Sequence, residues 1–370
     1  MENRVRKYVF LTKDTVKFAI PCDAFKGDLS EVEYLGGGSF GNVIKVPEYY
    51  SSGGIYEVAI KKVYDPFRNN STALRVYREL RLLQMMVHEN VVNLIDMYTP
   101  DTSSKELKNV YIVTEYAGVS LYTILRRQRN TGRIQLTPDH HQFIVYQLLR
   151  ALKYIHSASI IHRDLKPSNL ALTSDCDLTV LDFGEARTLT NRGTHLTEYV
   201  MTRWYRSPEV MFWKIGAYDQ QADMWSVGCI LGELCRGKVL FEGEDSFVQY
   251  GLIETLCGSP DEILMKKIEK NEAVYKVLIK RCKCSRKSFA EYFPAGSSPE
   301  LIDFLDRALV LDPERRMTVE QALAHPYLQK YSMPDDEPVA DGPFVIQYEN
   351  DNTLTVDRWK GFNLYFFISI

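Results

Sequence analysis

The chain has 370 residues, of which 45% are hydrophobic and 25% charged, which allows a substantial core in one large or two ordinary domains and argues against disorder over most of its length. A formal net charge of −3 argues against a nucleic-acid binder with a general basic face. Seven cysteines without a framework spacing indicate reduced thiols of the cytosol or nucleus, and we expect neither a secretory signal nor a membrane-spanning run.

The amino-terminal part of the chain is predicted to be rich in strands. Alternating and β-branched runs predict strands at residues 31–35, 42–46, 56–61 and 109–114, with a turn at 50–54. Val76, Leu80, Leu83 and Val87 recur at helical spacing, so one amphipathic helix is predicted over residues 72–87.

Helices dominate the rest of the chain. Ile144, Leu148, Ala151 and Ile155 form a helical stripe. Residues 224–234 are apolar almost all round, which predicts a buried helix. Further helices are predicted at residues 299–309 and 318–323.

The predicted fold class is therefore α+β, with a small β-rich N-lobe and a large, mainly helical C-lobe. Because clefts between lobes are frequent ligand sites, the functional site is expected beside the linker that joins them. The predicted division is an amino-terminal extension, the N-lobe, the hinge, the C-lobe and a carboxyl-terminal extension, at residues 1–30, 31–114, 115–119, 120–328 and 329–370, with the catalytic domain at 31–328.

A glycine-rich turn lies between the first two predicted strands. Residues 36–43 read Gly-Gly-Gly-Ser-Phe-Gly-Asn-Val and fit the pattern G-x-G-x-x-G-x-V. Glycines let the backbone approach phosphates because no Cβ intervenes. A dinucleotide-binding fold continues from its glycines into a helix, whereas a strand follows here. That order favours the phosphate loop of kinases over a nucleotide-dependent oxidoreductase or an ordinary turn.

A lysine and a glutamate follow with a spacing that suggests an ion pair. Lys61 ends the strand Val58-Ala-Ile-Lys61, and Glu79 borders the apolar face of the predicted helix. The alternatives are a solvated lysine and a surface pair between Glu79 and Arg75. We favour a Lys61–Glu79 pair, in which the carboxylate holds the ammonium group where it can bind phosphate oxygens of ATP.

The strongest signal is the stretch of residues 162–169, His-Arg-Asp-Leu-Lys-Pro-Ser-Asn, with Asp182-Phe-Gly after a short apolar strand. Phosphoryl transfer needs a carboxylate that orients the attacking hydroxyl and takes its proton, a role that suits Asp164. Lys166 suits contact with the transferring phosphate. Asn169 and Asp182 offer the hard oxygen ligands that Mg²⁺ prefers.

These motifs together resemble those of a eukaryotic protein kinase, and specifically a mitogen-activated protein (MAP) kinase of the CMGC group. The similarity extends over roughly residues 8–359 and is closest to the stress-activated branch, because the segments at 78–83, 88–90, 202–206 and 335–341 stand as that branch has them. It implies a serine/threonine kinase that uses ATP and Mg²⁺ and acts on sites followed by proline. The Thr197-Glu-Tyr199 motif differs, since its glutamate is typical of the growth-factor branch.

The resemblance also implies the lining of an ATP site. Thr114 matches a small gatekeeper, Ala117 the hinge residue whose backbone meets the adenine, and Val43, Ala59 and Ala171 the positions that enclose the ring, although plain core packing is an alternative for these three. Ser120 stands where many relatives have a ribose-binding aspartate. The implied ATP-binding residues are Leu35, Gly36, Gly37, Gly38, Ser39, Phe40, Gly41, Asn42, Val43, Ala59, Lys61, Thr114, Ala117 and Ala171.

Regulation by phosphorylation is implied in the same way. Thr197 and Tyr199 match the two sites that an upstream dual-specificity MAP kinase kinase modifies. Each phosphate would add about −1.5 to −2 charges and bind arginine side chains. The matching arginines are Arg75, Arg78 and Arg163 for phosphothreonine and Arg203 and Arg206 for phosphotyrosine.

An acidic docking surface is implied at Asp335, Asp336 and Asp175, thinned by Met333 and Ser174. Expected partners are the upstream kinase, phosphatases and substrates such as transcription factors and downstream kinases, in the cytoplasm and nucleus, with no direct contact to nucleic acid or membrane. The main alternative function is a pseudokinase or docking scaffold of the same fold, which the complete set of catalytic positions disfavours.

Overall fold

A computed structural model describes residues 6–38, 41–103, 105–189, 203–213, 219–349, 351 and 353–368, and only the backbone of residues 212 and 364–368. The strands, in chain order, are β1 Tyr8–Lys13, β2 Val16–Pro21, β3 Glu33–Gly38, β4 Gly41–Ser51, β5 Gly54–Val63, β6 Leu94–Tyr98, β7 Val110–Glu115, β8 Val119–Ser120, β9 Ile160–Ile161, β10 Leu170–Leu172, β11 Leu178–Val180 and β12 Arg187–Thr188.

The helices, in the same order, are α1 Asn70–Met85, α2 Leu121–Thr131, α3 Pro138–Ser157, α4 Gln221–Arg236, α5 Ser246–Cys257, α6 Glu262–Ile268, α7 Glu272–Leu278, α8 Phe289–Tyr292, α9 Pro299–Ala308, α10 Val319–Leu323 and α11 Val356–Ile368. Short 3₁₀ turns connect several of them. The chain divides into two compact units: unit 1 comprises residues 1–117, 182–184 and 346–370, and unit 2 comprises 118–181 and 185–345.

Unit 1 is built on a five-stranded antiparallel sheet with the order β3-β4-β5-β7-β6. The strands predicted from the sequence are all present, and most are longer than predicted. The turn predicted at residues 50–54 is tighter than expected, because β4 runs to Ser51 and β5 begins at Gly54. Ile44, Val58 and Ile60 are fully buried on one face, where apolar side chains replace contact with water by contact with each other.

An additional hairpin, β1–β2, extends the core of unit 1. Its two-residue turn, Asp14 and Thr15, has positive φ angles of 45° and 67°, the backbone that suits the twist of a tight hairpin. Phe18, Ala19 and Ile20 are buried and join the hydrophobic cluster of the main sheet. The segment before residue 31, predicted only as an extension, therefore contributes to the core.

Helix α1 is the one predicted over residues 72–87, with shifted ends. Asn69 caps it by accepting a hydrogen bond from the backbone of Thr72 at 2.9 Å. Val76, Leu80 and Leu83 are buried, whereas Val87 lies beyond the helix and is 81% exposed, so its assignment to the apolar face was wrong.

Helix α11 packs against α1 in unit 1. Trp359 is buried, and its ring lies 5.2 Å from that of Tyr77 on α1, centroid to centroid. Phe362 stacks on Tyr348 at 4.7 Å. The apolar carboxyl-terminal tail, unplaced by sequence reasoning, thus begins as a helix that covers α1.

Unit 2 is mainly helical, around α3 and α4. The stripe of Ile144, Leu148, Ala151 and Ile155 on α3 is fully buried, as predicted. Helix α4 is buried throughout residues 222–234, which confirms the expected core helix. The observed division into a sheet-based unit and a helical one confirms the α+β class. Among the described residues, no helix combines the length and apolar character that crossing a membrane requires.

Candidate active site

The glycine-rich segment is the turn of the β3–β4 hairpin in unit 1. Gly37 pairs with Asn42 and Gly38 with Gly41 across the hairpin. A Cβ on Gly41 would lie 2.2 Å from the carbonyl oxygen of Lys62, so close approach to β5 requires glycine there. Asn42 is buried, and its Oδ1 accepts a 2.6 Å hydrogen bond from the Tyr34 hydroxyl. The sequence predicted the hairpin, and it gave no sign of this tyrosine contact.

Two members of the predicted phosphate loop, Ser39 and Phe40, lie outside the described residues. Gly36 has φ +147°, a conformation that favours glycine. Leu35 is 42% exposed at the start of the loop.

Lys61 lies between two carboxylates of unit 1. Its Nζ is 2.6 Å from Oε1 of Glu79 on α1 and 3.3 Å from Oδ1 of Asp182. Burial acts to lower the pKa of Lys61, but the negative charges of Asp182 and Glu79 outweigh it, and the pKa lies above its usual value. The lysine is therefore a fixed cation, and the predicted Lys61–Glu79 contact is present.

The strands bring the residues predicted around adenine into adjacent positions in unit 1. Ala59 lies opposite Thr114 in the β5–β7 register, and Val43 lies opposite Lys61 in the β4–β5 register. Ala117 follows β7 as the last residue of this part of unit 1. These side chains are half-buried at one end of the sheet, beside the fixed cation.

Ala171 belongs to unit 2, on the central strand β10, where it is buried opposite Ser120 of β8. Ser120 also caps α2, because its hydroxyl accepts a hydrogen bond from the Thr123 backbone at 3.3 Å. Ser120 therefore has a structural role as a helix cap, at a position where the resemblance suggested aspartate.

In unit 2, the loop after β9 holds Asp164 by short contacts. Lys166 Nζ lies 2.6 Å from Oδ2 of Asp164, and Asn169 Nδ2 donates to the same oxygen at 3.1 Å and to the Asp164 backbone carbonyl at 2.8 Å. Asp164 is 7% exposed. The carboxylate is therefore fixed in orientation and reachable at one edge.

The backbone of this loop is fixed by Asp223 of helix α4. Its two oxygens accept hydrogen bonds from the backbone amides of His162 and Arg163, both at 2.9 Å, and it pairs with His156 at 2.9 Å. Burial acts to raise the pKa of Asp223, but the contacts to His156, His162 and Arg163 outweigh it and hold the pKa below its ordinary value of 3.8. These contacts give Asp223 a structural role in holding the loop.

A second buried pair supports unit 2. Arg316 donates to both oxygens of Glu209 at 2.8 and 3.1 Å. Such a two-bonded arginine and carboxylate is geometrically specific and stronger than a neutral hydrogen bond.

The predicted metal ligands, Asn169 in unit 2 and Asp182 in unit 1, fit Mg²⁺ in donor type. The amide nitrogen of Asn169 is used by Asp164, so the amide oxygen is the atom available for a metal. Asp182 supplies a carboxylate. Its backbone is in the left-handed region, with φ 58°, and its Oδ1 accepts a hydrogen bond from the backbone amide of Gly184 at 3.3 Å. Few hard oxygen ligands are what Mg²⁺ requires from a protein.

The predicted phosphosites, Thr197 and Tyr199, lie outside the described residues. Among the predicted arginines, Arg78 is buried and paired with Glu349 at 2.6 Å, a partner that sequence reasoning missed. The guanidinium of Arg75 lies against Gly184, since a Cβ on that glycine would be 2.7 Å from Nη2.

The three remaining predicted arginines lie in unit 2. Arg163 follows β9 with φ 70°, a left-handed conformation within the loop that Asp223 fixes. The backbone amide of Arg206 donates to the Arg203 carbonyl at 3.0 Å, so these two arginines belong to the same short turn.

The acidic residues predicted for docking lie against one helix of unit 2. Arg150 on α3 donates to the Asp336 carbonyl at 2.8 Å and lies 3.2 Å from its carboxylate. Gln147, three residues earlier, donates to the Cys176 carbonyl and accepts from the Leu178 backbone, both at 2.9 Å, which fixes the turn that bears Asp175. Residues three apart on a helix are neighbours, so both acidic segments lie along the same side of α3.

Comparison with known proteins identifies the family to which this fold and these site residues belong. Residues 29–328 match the family model described as Protein kinase domain. Mitogen-activated protein kinase pmk-3 of Caenorhabditis elegans is 52% identical over 358 residues, covering 96% of this chain and 75% of that protein. Mitogen-activated protein kinase 14 of Xenopus laevis is 43% identical over 327 residues (88% and 86%), and mitogen-activated protein kinase p38b of Drosophila melanogaster 41% over 364 (97% and 93%).

The chain therefore belongs to the protein kinase family, whose members use ATP as phosphate donor. Within it, the chain is a serine/threonine kinase of the mitogen-activated type, similar to the p38 proteins of the stress-activated branch. The comparisons give the pseudokinase alternative no support.

Proposed function

We propose that the chain transfers the γ-phosphoryl group of ATP to serine or threonine residues followed by proline, after phosphorylation of Thr197 and Tyr199. The observation that carries this proposal is the position of Asp164. Its carboxylate is nearly buried and is held by Lys166 and Asn169, and the backbone of its loop is hydrogen-bonded to Asp223. Such preorganisation is what a phosphoryl-transfer enzyme contributes, since the reaction needs positioning more than covalent chemistry.

Asp164 is proposed as the group that orients the acceptor hydroxyl. Among the described residues, the hydrogen bonds to its carboxylate all go to Oδ2, which leaves Oδ1 to accept a hydrogen bond from the hydroxyl and then its proton. Lys166 neutralises the other oxygen and lies close enough to contact the transferring phosphate.

Lys61 is proposed to bind the α- and β-phosphates of ATP. It stays cationic at physiological pH because Asp182 and Glu79 outweigh the effect of burial on its pKa, and the same two carboxylates fix its position. The glycine hairpin would cover the phosphates with backbone amides, and Thr114, Ala117, Val43, Ala59 and Ala171 would enclose the base.

Asn169 and Asp182 are proposed to hold Mg²⁺. When bound, the ion supplies charge neutralisation of the phosphate oxygens. Asn169 also orients Asp164 through its amide nitrogen, so one side chain serves both the proton acceptor and the metal.

Activation is proposed to bring phosphothreonine and phosphotyrosine to the five arginines named above. Arg78 would exchange its carboxylate partner, Glu349, for a phosphate. The proposed partners are an upstream dual-specificity kinase, phosphatases and protein substrates in the cytoplasm and nucleus. Asp175, Asp335 and Asp336 would attract the basic docking segments of these partners.

The test is a phosphotransfer assay with purified protein in four states: unphosphorylated, phosphorylated at Thr197 only, at Tyr199 only, and at both. Substrates are a Ser-Pro peptide and its Ser-Ala counterpart, with ATP and Mg²⁺. We expect turnover of the Ser-Pro peptide by the doubly phosphorylated protein, and far less in the other combinations. Equal turnover in all four states would contradict the activation proposal, and no turnover in any state would contradict phosphoryl transfer itself.

A further inference from the structure

Residues 280–287 of unit 2, here called the dithiol loop, carry two thiols among cations. The loop reads Lys-Arg-Cys-Lys-Cys-Ser-Arg-Lys, and both Cys282 and Cys284 are exposed. It follows α7 and plays no part in the active site described above.

The dithiol loop is anchored by its backbone to the end of α5. The backbone amide of Cys284 donates to the Ser259 hydroxyl, and its carbonyl accepts from the Ser259 amide, both at 2.9 Å. The amide of Lys287 donates to the Leu256 carbonyl at 3.0 Å. The Cys284 sulfur lies 3.8 Å from the Cys282 carbonyl oxygen, so the two thiols belong to one short surface segment. The loop therefore presents its thiols to solvent from a fixed position.

The charge of the dithiol loop is only partly neutralised. Arg281 pairs with Glu254 and Arg286 with Asp306, each at 2.8 Å. The remaining cations, Lys280, Lys283 and Lys287, are exposed and have no ion-pair partner among the residues that the structure describes. The thiols are thus surrounded by positive charge that an anionic reagent can use.

Three other cysteines of unit 2 show the opposite environment. Cys229 and Cys257 are buried and Cys235 is partly buried, and burial raises the pKa of Cys235 and of Cys257 to about 12 and that of Cys229 well above its ordinary value. Since the thiolate is the nucleophile, these thiols are inert. Cys22 of unit 1 is exposed, and its sequence neighbour Asp23 pairs with Arg6 at 3.0 Å, so this thiol lies beside a neutralised pair and not in a lysine-rich segment.

We infer that Cys282 and Cys284 form a modification site for anionic low-molecular-weight disulfides, of which glutathione disulfide is the probe. A thiolate of the loop attacks one sulfur of glutathione disulfide, the disulfide bond of the reagent breaks, and a protein–glutathione disulfide forms. The protein sulfur is oxidised, and the departing glutathione thiolate is reduced and takes a proton from water. The lysines favour this reagent because they attract its carboxylates.

The experiment exposes the reduced full-length chain to a limiting amount of either glutathione disulfide, which is anionic, or cystamine, which is cationic, and measures the modification rate of each cysteine by peptide mass spectrometry. At low salt, the ratio of the anionic to the cationic rate should be roughly tenfold higher at Cys282 and Cys284 than at Cys22, and the excess should shrink at high salt. Cys229 and Cys257, which are buried, should remain unmodified.

Two triple variants separate local charge from net charge. Replacing Lys280, Lys283 and Lys287 by glutamine keeps both thiols and should remove the preference for glutathione disulfide. Replacing three exposed lysines outside the loop, Lys105, Lys108 and Lys238, by glutamine changes net charge equally and should preserve it. If the first variant keeps the preference, if the second loses it, or if Cys22 shows the same preference, the inference is wrong.

Cys282→Ser and Cys284→Ser complete the test. Either single variant should still take up glutathione at the remaining thiol, and the double variant should take up none in this loop. Failure of the wild-type loop to react faster with glutathione disulfide than the buried cysteines do would also overturn the site.

Discussion

The charged clusters around Lys61 and Asp164 are held in different ways. Lys61 contacts Glu79 and Asp182, which lie 18 and 121 residues away in the chain. Asp164 contacts Lys166 and Asn169, which lie two and five residues away. The first cluster exists only if separate elements of unit 1 pack correctly, whereas the second is assembled within one loop.

The two clusters are vulnerable to change at different places in the molecule. The Lys61 cluster depends on the position of α1, which is supported by Trp359 of α11 and by Glu349, which precedes α11 and forms a buried pair with Arg78. The Asp164 cluster depends on the backbone of its loop, which Asp223 fixes. The first cluster can therefore be loosened without a change to any of its charges, whereas the second needs only the fold of unit 2.

The largest expected effect is at the locally assembled cluster. Asp164→Asn should lower kcat by about 10²- to 10⁴-fold, because it removes the proposed proton acceptor while keeping the volume of the side chain. Thermal unfolding should change little, since the loop backbone is held by Asp223. The assay is turnover of the doubly phosphorylated protein, measured beside the melting temperature.

A matched control is Asp177→Asn, which changes an exposed carboxylate of the same unit. It should leave both quantities near the wild-type values. A folded Asp164→Asn protein with near-normal turnover would contradict the proposed role.

At the long-range cluster, Lys61→Met should lower kcat/KM for ATP by about 10²- to 10³-fold, the usual loss when one charged donor to a transition state is removed. Glu79→Gln should cost less, because Asp182 still contacts the lysine at 3.3 Å. If Glu79→Gln proves as damaging as Lys61→Met, the expectation that Asp182 can hold the lysine alone is wrong, and its position depends on α1.

Neighbouring residues were predictable from the sequence, and distant supports were not. The hairpin of glycines, the 162–169 loop and the Lys61–Glu79 contact follow from motifs whose chemistry fixes their spacing. Glu349 carries no local pattern that pairs it with Arg78, since the two residues lie 271 positions apart in the chain and meet only through tertiary packing. Gln147 was missed for the same reason: within a helix its spacing marks a face, but its contacts to the 176–178 backbone are tertiary.

Some errors were avoidable. The alternation of Val16-Lys-Phe-Ala-Ile20 after Asp14-Thr15 is a recognisable strand and turn, and it signals the β1–β2 hairpin. Val87 continues the helical spacing but lies beyond Met85, where α1 ends. Spacing alone does not show where a helix ends, so this error follows from the method of prediction.

The support of the Asp164 loop is tested by Asp223→Asn, which should destabilise the protein by about 2–3 kcal/mol through weakened hydrogen bonds to a buried charge. Because the folded pKa of Asp223 lies below its unfolded value of 3.8, the carboxylate stabilises the fold above that value. This contribution is lost as the pH falls through the folded pKa.

The difference in stability between wild type and Asp223→Asn should therefore be constant near neutral pH and shrink below about pH 4. Denaturant unfolding at several pH values measures it. A difference that stays constant to low pH would show that the charge of Asp223 is not what holds the loop.

The smallest expected effect concerns Asp335 and Asp336, which belong to neither cluster. The Asp336 carboxylate is 63% exposed and lies 3.2 Å from Arg150, so its field is screened by water and partly neutralised. Replacing both residues by asparagine should weaken binding of a basic docking peptide by roughly two- to fivefold per carboxylate, chiefly through slower association and less so at high salt. Phosphorylation of a short peptide without a docking segment should be unchanged, because that substrate uses only the catalytic residues.

Glu337, which is buried and paired with Lys153 at 3.0 Å, provides the contrast: Glu337→Gln removes a structural ion pair and should lower stability more than peptide binding. Equal losses for docked and undocked substrates in the Asp335→Asn, Asp336→Asn protein would mean that these aspartates act through the fold and do not form a docking surface.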